Sequence, residues 1–522
     1  MSKRTFGSPS FLYDWHYSRH LYVVDNFKFI HYFCRKQIQF LIMLHAALAR
    51  QIITRLPYTP NESQQLLVDM LARFIINGKD NDLFLLTGYA GTGKTSLVGA
   101  TVKALDALKY KTVLLAPTGR AAKVFSRYAS HPAYTIHRKI YRQQRFSPDM
   151  RGFLAGNNTH CDTLFIVDEA SMIANAANDS GYYGSGNLLD DLLEYVYGGD
   201  NCRLILLGDN AQLPPIGQPF SPALSPELLR SAGVNVISYN LDRVARQSTQ
   251  SGILHNATRL RQAMMEATTD ILPPPQLQLA GFPDIVNLSG EFLVETLSDS
   301  YDSVGLDDTI VITRSNKRAG IFNQGIRNQI LYREEELTSG DMLLVAKNNY
   351  YWGKEYKEVD FIANGDVAQD VRLRKSYEMY GFRFADVQLY FPDLDVELEA
   401  RILLDTLTSE APALTREQNE QLYTAILDDY AHIANQRERM QRLKADPWFN
   451  ALQVKYAYGV TCHKAQGGQW RHVYIDMGYI DPDALTIDFY RWLYTAITRA
   501  TERVYLINLA PHFIHPAERS ND

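Results

Sequence analysis

The chain has 522 residues, of which 46% are hydrophobic and 21% charged, and its formal net charge is −5. That supplies apolar material for several cores and excludes a globally basic nucleic-acid binder, so any nucleic-acid site must be a local groove. The four cysteines, Cys34, Cys161, Cys202 and Cys462, are scattered without metal-ligand spacing, which points to a reducing, cytoplasmic setting rather than a disulfide scaffold.

Residues 1–42 are aromatic and mildly basic, without clear periodicity. They lack the uninterrupted apolar core and small-residue cleavage site of a signal peptide, and Lys28, Arg35 and Lys36 interrupt the most apolar run, so no membrane span is expected. They read either as a weakly ordered extension or as an upstream start that the cell does not use. A helical pattern opens at Met43, and Leu66, Leu67, Met70, Leu71 and Phe74 recur at the spacing of an amphipathic helix. Short apolar strands follow at 82–87, 112–116, 163–167 and 203–207, alternating with helices that begin near Lys94 and Gly119. That rhythm predicts a parallel sheet with crossover helices. It recurs at 308–313, followed by a helix over 317–331, and again at Val473 and Val504. Between Gly340 and Trp448 it gives way to short alternating segments with an Asn364-Gly365 turn, a small antiparallel β-unit, and then a charged helix over 415–444.

Gly88-Tyr89-Ala90-Gly91-Thr92-Gly93-Lys94-Thr95 fits the phosphate-binding loop in full, between a strand and a helix as the chemistry requires. Gly88, Gly91, Thr92, Gly93 and Ser96 would set backbone N–H groups around the phosphates of ATP. Lys94 would reach the β- and γ-phosphates, and the Thr95 hydroxyl would ligate Mg²⁺. Asp168 closes the buried strand Phe165-Ile166-Val167, where an acid suits the Mg²⁺ sphere. The adjacent Glu169 suits general-base activation of the attacking water. A helix start that favours acids is the plainer alternative. These motifs predict nucleotide hydrolysis without saying what it drives.

Later segments narrow the choice. Leu206-Leu207-Gly208-Asp209-Asn210-Ala211-Gln212-Leu213-Pro214-Pro215 looks like the third motif of superfamily 1 helicases. Thr461-Cys462-His463-Lys464-Ala465-Gln466-Gly467-Gly468-Gln469-Trp470 resembles the fifth, and Leu493-Tyr494-Thr495-Ala496-Ile497-Thr498-Arg499-Ala500 the sixth. Ala116-Pro117-Thr118-Gly119-Arg120 and Tyr134-Thr135-Ile136-His137-Arg138 are similar to motif Ia and the short motif after it. Together with Gly208-Asp209-Asn210-Ala211-Gln212-Leu213-Pro214-Pro215, they point to the RecD/Dda branch, with UvrD-like C-terminal helicase motifs.

The resemblance spans roughly Thr59 to Asn508. It implies an α/β fold with two RecA-like motor domains, over 43–240 and over 241–339 plus 449–510. A small β-barrel with a charged helix would be inserted at 340–448, a wedge hairpin would lie at about 141–161, and a tail would follow from 511 to 522. It further implies that Gln212 senses the γ-phosphate, that Arg499 and Arg246 approach it from across the cleft, and that Gln64 meets adenine. Gly467 and Gln469 would lie near the nucleotide, although the wider superfamily often has an acid where Gln469 stands. Pro117, Thr118, Arg120, Thr135, His137, Thr461 and His463 would line the single-strand groove, touching phosphates without reading sequence. For Gln64 a plain helix cap, and for each histidine a buried structural role, are the competing readings.

The activity so implied is that of a monomeric ATP-driven DNA helicase moving 5′ to 3′ on single-stranded DNA and acting on forked or tailed duplexes in repair, recombination or replication. Protein partners in such a complex are compatible with it. The alternative is a DNA-stimulated ATPase switch or accessory subunit that does not unwind; RNA as the track is a third reading.

Overall fold

The structure, a computed structural model, describes residues 41–143, 153–175, 185–242, 251–354, 356, 359 and 361–516. The expected extension up to residue 40, the tip of the wedge hairpin, Arg246 and the end of the tail lie outside the described residues. Two compact units meet in sequence at Gly78. In the first, a helix over 41–53 precedes the helix Glu62–Asn77, which buries Leu67, Val68, Leu71 and Phe74 along one face.

The second unit, from Lys79 onward, contains two parallel sheets and a barrel. Strands β1 (Asp82–Gly88), β2 (Lys111–Ala116), β3 (Ala133–Thr135), β6 (Thr163–Val167), β7 (Arg203–Gly208) and β8 (Asn235–Leu241) form the first sheet, in the order β3-β2-β6-β7-β1-β8. Every pairing in it is parallel. β6 and β7 are buried along their whole length, which is why they read as continuous apolar runs rather than alternating ones. Between β3 and β6, strands β4 (Tyr141–Gln143) and β5 (Phe153–Ala155) pair antiparallel within the stretch expected to form the wedge.

The second sheet runs β16-β10-β17-β18-β9. Its strands are β9 (Ile285–Leu288), β10 (Thr309–Thr313), β16 (Gly459–Thr461), β17 (Trp470–Asp476) and β18 (Ala500–Ile507). It too is parallel throughout. These are the two RecA-like motor domains. Between β10 and β16 lies a closed barrel of β11 (Met342–Val345), β12 (Val367–Met379), β13 (Phe382–Phe391), β14 (Val396–Leu403) and β15 (Leu452–Tyr456).

Three elements differ from the sequence expectation. The barrel does not end at 448: β15 closes it, pairing antiparallel with β11 and parallel with β14. Read alone, its apolar residues look like one more motor strand, and only the pairing assigns it. The charged helix of 415–444 is two helices, Arg416–Asp429 and Gln436–Lys444, each with its own N-cap, Thr415 and Asn435. Similarly, the helix expected over 317–331 is α-helical only over Asn316–Gly325 and ends in a π-turn, Ile326–Ile330. Among the described residues no helix is long and apolar enough to cross a membrane.

Candidate functional site

In the first sheet β6, β7 and β1 are neighbours. Their carboxyl ends therefore deliver Asp168, Asp209 and the phosphate-binding loop to one edge, where ligands of open α/β sheets sit. Gly93 takes φ +87 as it turns the loop into the helix Lys94–Ala107. The Lys94 ammonium donates to the Gly88 and Tyr89 carbonyls at 2.7 and 2.9 Å. The Thr92 hydroxyl donates to the Tyr89 carbonyl, folding the loop on itself.

The Thr95 hydroxyl lies 3.3 Å from Asp168 Oδ2. Burial, and then the charge of Glu169, push the Asp168 carboxyl up to about 6, against the pull of Lys94. A hydroxyl and a carboxylate this close, with the acid strained by desolvation, suit a shared hard cation, so Thr95 and Asp168 fit the expected Mg²⁺. Glu169 adopts φ +53 immediately after Asp168, and its N–H donates to Asp168 Oδ1. That turn aims the two neighbouring carboxylates differently.

Across the cleft stands Arg499, at the end of the helix Ile487–Ile497 in the second motor domain and only 4% exposed. Its Nη1 lies 3.4 Å from Glu169 Oε1, forming an ion pair between the two domains. Nε donates to the Thr495 carbonyl and Nη1 to the Gly468 carbonyl, fixing the guanidinium. The same helix grips the third-motif loop. The Leu213 N–H donates to Thr495 Oγ1 at 2.9 Å, and Gln466 Nε2 donates to the Leu213 carbonyl at 2.7 Å. Gln212 is buried beside them, and its Oε1 has no partner among the described residues. The structure thus brings Lys94, Thr95, Asp168, Glu169, Gln212 and Arg499 to one cleft.

Other expected residues sit differently. Gln64 belongs to the N-terminal unit, where it completes a capping box: its Oε1 accepts from the Asn61 N–H, and Asn61 Oδ1 from the Gln64 N–H. Gly467 (φ +73) lies against Thr118 and Ala121, and the Gln469 side chain accepts from the Tyr128 hydroxyl at 3.4 Å. Both therefore face the helix Gly119–Ala129. The Thr118 and Thr135 hydroxyls cap helices, accepting from the Ala121 and Arg138 N–H groups. Arg120, expected on the nucleic-acid groove, stacks 4.0 Å over Trp470 and donates to the Asp307 carbonyl, joining the motor domains. His137 is enclosed between Tyr141 and Phe361. Its burial lowers its pKa to about 4, so it is neutral. Thr461 and His463 line a cavity of about 400 Å³, with Arg314, Phe489 and Trp492 among its walls.

Several contributors escaped sequence reading. Arg261 stacks 4.0 Å over the Tyr89 ring of the phosphate-binding loop, and Leu254 covers Gly91. Both come from the helix Gly252–Glu266, in a segment without motif character. Tyr494 and Asp209 lay inside quoted motifs but carried no assigned role.

Parts of this chain are similar to known families and proteins. A family model for an AAA domain matches residues 63–272, and one for a UvrD-like helicase C-terminal domain matches 456–507. An uncharacterised protein of Acanthamoeba polyphaga mimivirus is 22% identical over 535 residues, 85% of this chain and 99% of that protein. The ATP-dependent RecD2 DNA helicase of Deinococcus radiodurans is 27% identical over 303 residues, 56% of this chain but 36% of the relative. Among solved structures, the Pif1 helicase from Bacteroides in complex with ADP-AlF3 and ssDNA shares 15% identity at a TM-score of 0.43, over 87% of this chain and 94% of that one.

Proposed function

This chain belongs to the RecD type of superfamily 1 helicases, and from that premise we propose that it is a translocase that moves 5′ to 3′ on single-stranded DNA and opens forked or tailed duplexes in repair, recombination or replication. The carrying observation is the pairing of Arg499 with Glu169 across the cleft that also holds Lys94 and Asp168. An arginine reaching the cleft from the second domain is what an enzyme needs when both domains take part in hydrolysis.

Lys94 holds the terminal phosphates of ATP on one side. Arg499, drawn from Glu169 to the more highly charged γ-phosphate, holds them on the other and closes the cleft. Its departure frees the Glu169 carboxylate to take a proton from the attacking water. Bound between Thr95 and Asp168, Mg²⁺ would neutralise charge on the phosphate oxygens. Gln212, whose Oε1 has no partner among the described residues, orients water or phosphate and passes the change to Leu213, which Thr495 and Gln466 hold from the other domain. Loss of the γ-phosphate removes the bridge between Lys94 and Arg499, and the hold of the two domains on the nucleotide relaxes. Alternating grip through Thr461 and His463 on one domain and motif Ia on the other turns each cycle into a step. We place the protein in a reducing, cytoplasmic setting, in keeping with free thiols at Cys161, Cys202 and Cys462. We also take it to work as a monomer, alone or within a larger complex.

The test is unwinding of forks carrying only a 5′ or only a 3′ tail, with Lys94→Ala as the blank. Unwinding from the 5′ tail alone, absent in the variant, is expected. Unwinding only from the 3′ tail overturns the polarity. DNA-stimulated hydrolysis without strand separation favours the switch reading instead.

A further inference from the structure

Tyr494 lies in the sixth-motif helix of the second motor domain, but both partners of its hydroxyl belong to the first. The Ala90 N–H, in the phosphate-binding loop, donates to Tyr494 Oη at 2.8 Å. The hydroxyl in turn donates to Asp209 Oδ2 at 2.6 Å. Asp209 and Tyr494 are each 1% exposed, so the bridge lies out of reach of bulk solvent at both side chains. Burial raises the Asp209 carboxyl above its ordinary range, with Lys94 and the Tyr494 hydroxyl pulling it back. Burial likewise drives the phenol well above its ordinary value, so it stays protonated and can keep donating.

The other oxygen of Asp209 is also committed: Oδ1 accepts from the Ala211 N–H at 2.9 Å, and the Asp209 carbonyl accepts from the Gln212 N–H at 3.2 Å. One carboxylate therefore shapes the turn that presents Gln212, and a phenol from the opposite domain fixes that carboxylate to the phosphate-binding loop. The next residue, Thr495, holds Leu213 one step further along the same turn.

We propose that Tyr494 is a positioning residue for ATP hydrolysis, whose hydroxyl locks the Ala90 peptide and the Asp209 turn together so that Gln212 is correctly placed only when the second motor domain is docked. It acts through Asp209 and Ala90 and touches no substrate. The inference rests on the ATPase reading above and supplies a physical link by which engagement of the second domain by DNA sets the hydrolysis rate of the first. Because the link aligns groups rather than binding nucleotide, its loss lowers kcat and leaves KM for ATP in place.

The experiment compares wild type, Tyr494→Phe, Asp209→Asn and the double variant by steady-state ATP hydrolysis at saturating single-stranded DNA, with thermal melting as the fold control. Tyr494→Phe keeps the ring and removes the bridge. Asp209→Asn leaves a single acceptor oxygen for the phenol and the Ala211 N–H together, so one of the two bonds on that side is lost. Each is expected to lower kcat about tenfold, ~1.4 kcal/mol in barrier, with KM for ATP within about twofold, and the double variant is expected to be no slower than the slower single one. Multiplying losses in the double variant, a kcat within about twofold of wild type for folded Tyr494→Phe, or a rise in KM alone overturns the inference. If Tyr494→Phe does not fold, Asp209→Asn decides by the same kcat and KM criteria. Absence of DNA-stimulated hydrolysis in the wild type would instead refute the function proposed above.

Discussion

Arg499→Ala separates a motor cleft from a merely structural contact, because the structure sets the two expected losses at different sizes. The guanidinium is nearly enclosed and meets Glu169 Oε1 at 3.4 Å, the Gly468 carbonyl at 3.3 Å and the Thr495 carbonyl at 3.2 Å. Truncation leaves the Gly468 carbonyl without that donor, a cost of ~1–3 kcal/mol for a buried group left unsatisfied, while the Thr495 carbonyl still accepts from the Thr498 hydroxyl. Water entering beside the partly exposed Glu169 offsets part of it, so the fold survives with a lower melting temperature. The catalytic loss is larger. An arginine that reaches the γ-phosphate from across a cleft contributes about 10³–10⁵ in rate, so even the lower limit is ~4 kcal/mol of barrier. Phosphate release measured over a range of ATP at saturating single-stranded DNA should show kcat reduced about a thousandfold or more. Arg499→Lys should recover only a small part, since an ammonium cannot span Glu169 and both carbonyls at once. A folded Arg499→Ala variant whose kcat stays within tenfold of wild type would show that the arginine only braces the helix.

Two further outcomes follow from groups outside the cleft. Asp366, in the barrel turn facing Gly119, is pushed up to about 7 by burial, with Asp393 adding to the rise and the Ala363 N–H and Arg138 opposing it. A raised carboxyl favours the folded state least once it is ionised, so stability should fall as pH rises from about 4 through 7, by at most roughly 4 kcal/mol. Asp366→Asn, which can still accept from the Ala363 N–H, should flatten the fall in melting temperature between pH 4 and pH 8; an unchanged profile would locate the titration elsewhere. In the cavity lined by Thr461 and His463, burial lowers the His463 pKa and keeps it neutral, while Arg314 brings a positive charge. Thr461→Val should weaken single-stranded DNA binding about fivefold without altering its salt dependence, whereas Arg314→Ala should reduce the slope of log K against log salt by about 0.7. Equal slopes for the two variants would exclude a phosphate at Arg314.

Local chemistry made much of this protein legible from residues alone. A glycine-rich turn between an apolar strand and a helix can be recognised because its function depends on backbone conformation and on Lys94 and Thr95 at fixed spacing. The buried strands could be read because both faces of a parallel sheet are covered, leaving continuous apolar runs such as Leu164-Phe165-Ile166-Val167. Pairings between distant segments could not be read. The apolar pattern of Leu452–Tyr456 serves a barrel as well as a motor sheet, and the choice is made by β11 and β14. Arg120 carries the same charge on a groove or under Trp470, and only packing between the domains directs it to the latter. The Tyr494 hydroxyl likewise gains its significance from two first-domain partners, Ala90 and Asp209, hundreds of residues away in sequence. Sequence by itself determined which groups can do phosphate chemistry, since that depends on neighbours along the chain. Tertiary structure decided which of them face one another, since hydrogen bonds and ion pairs reach only a few ångströms and register nothing about separation in sequence.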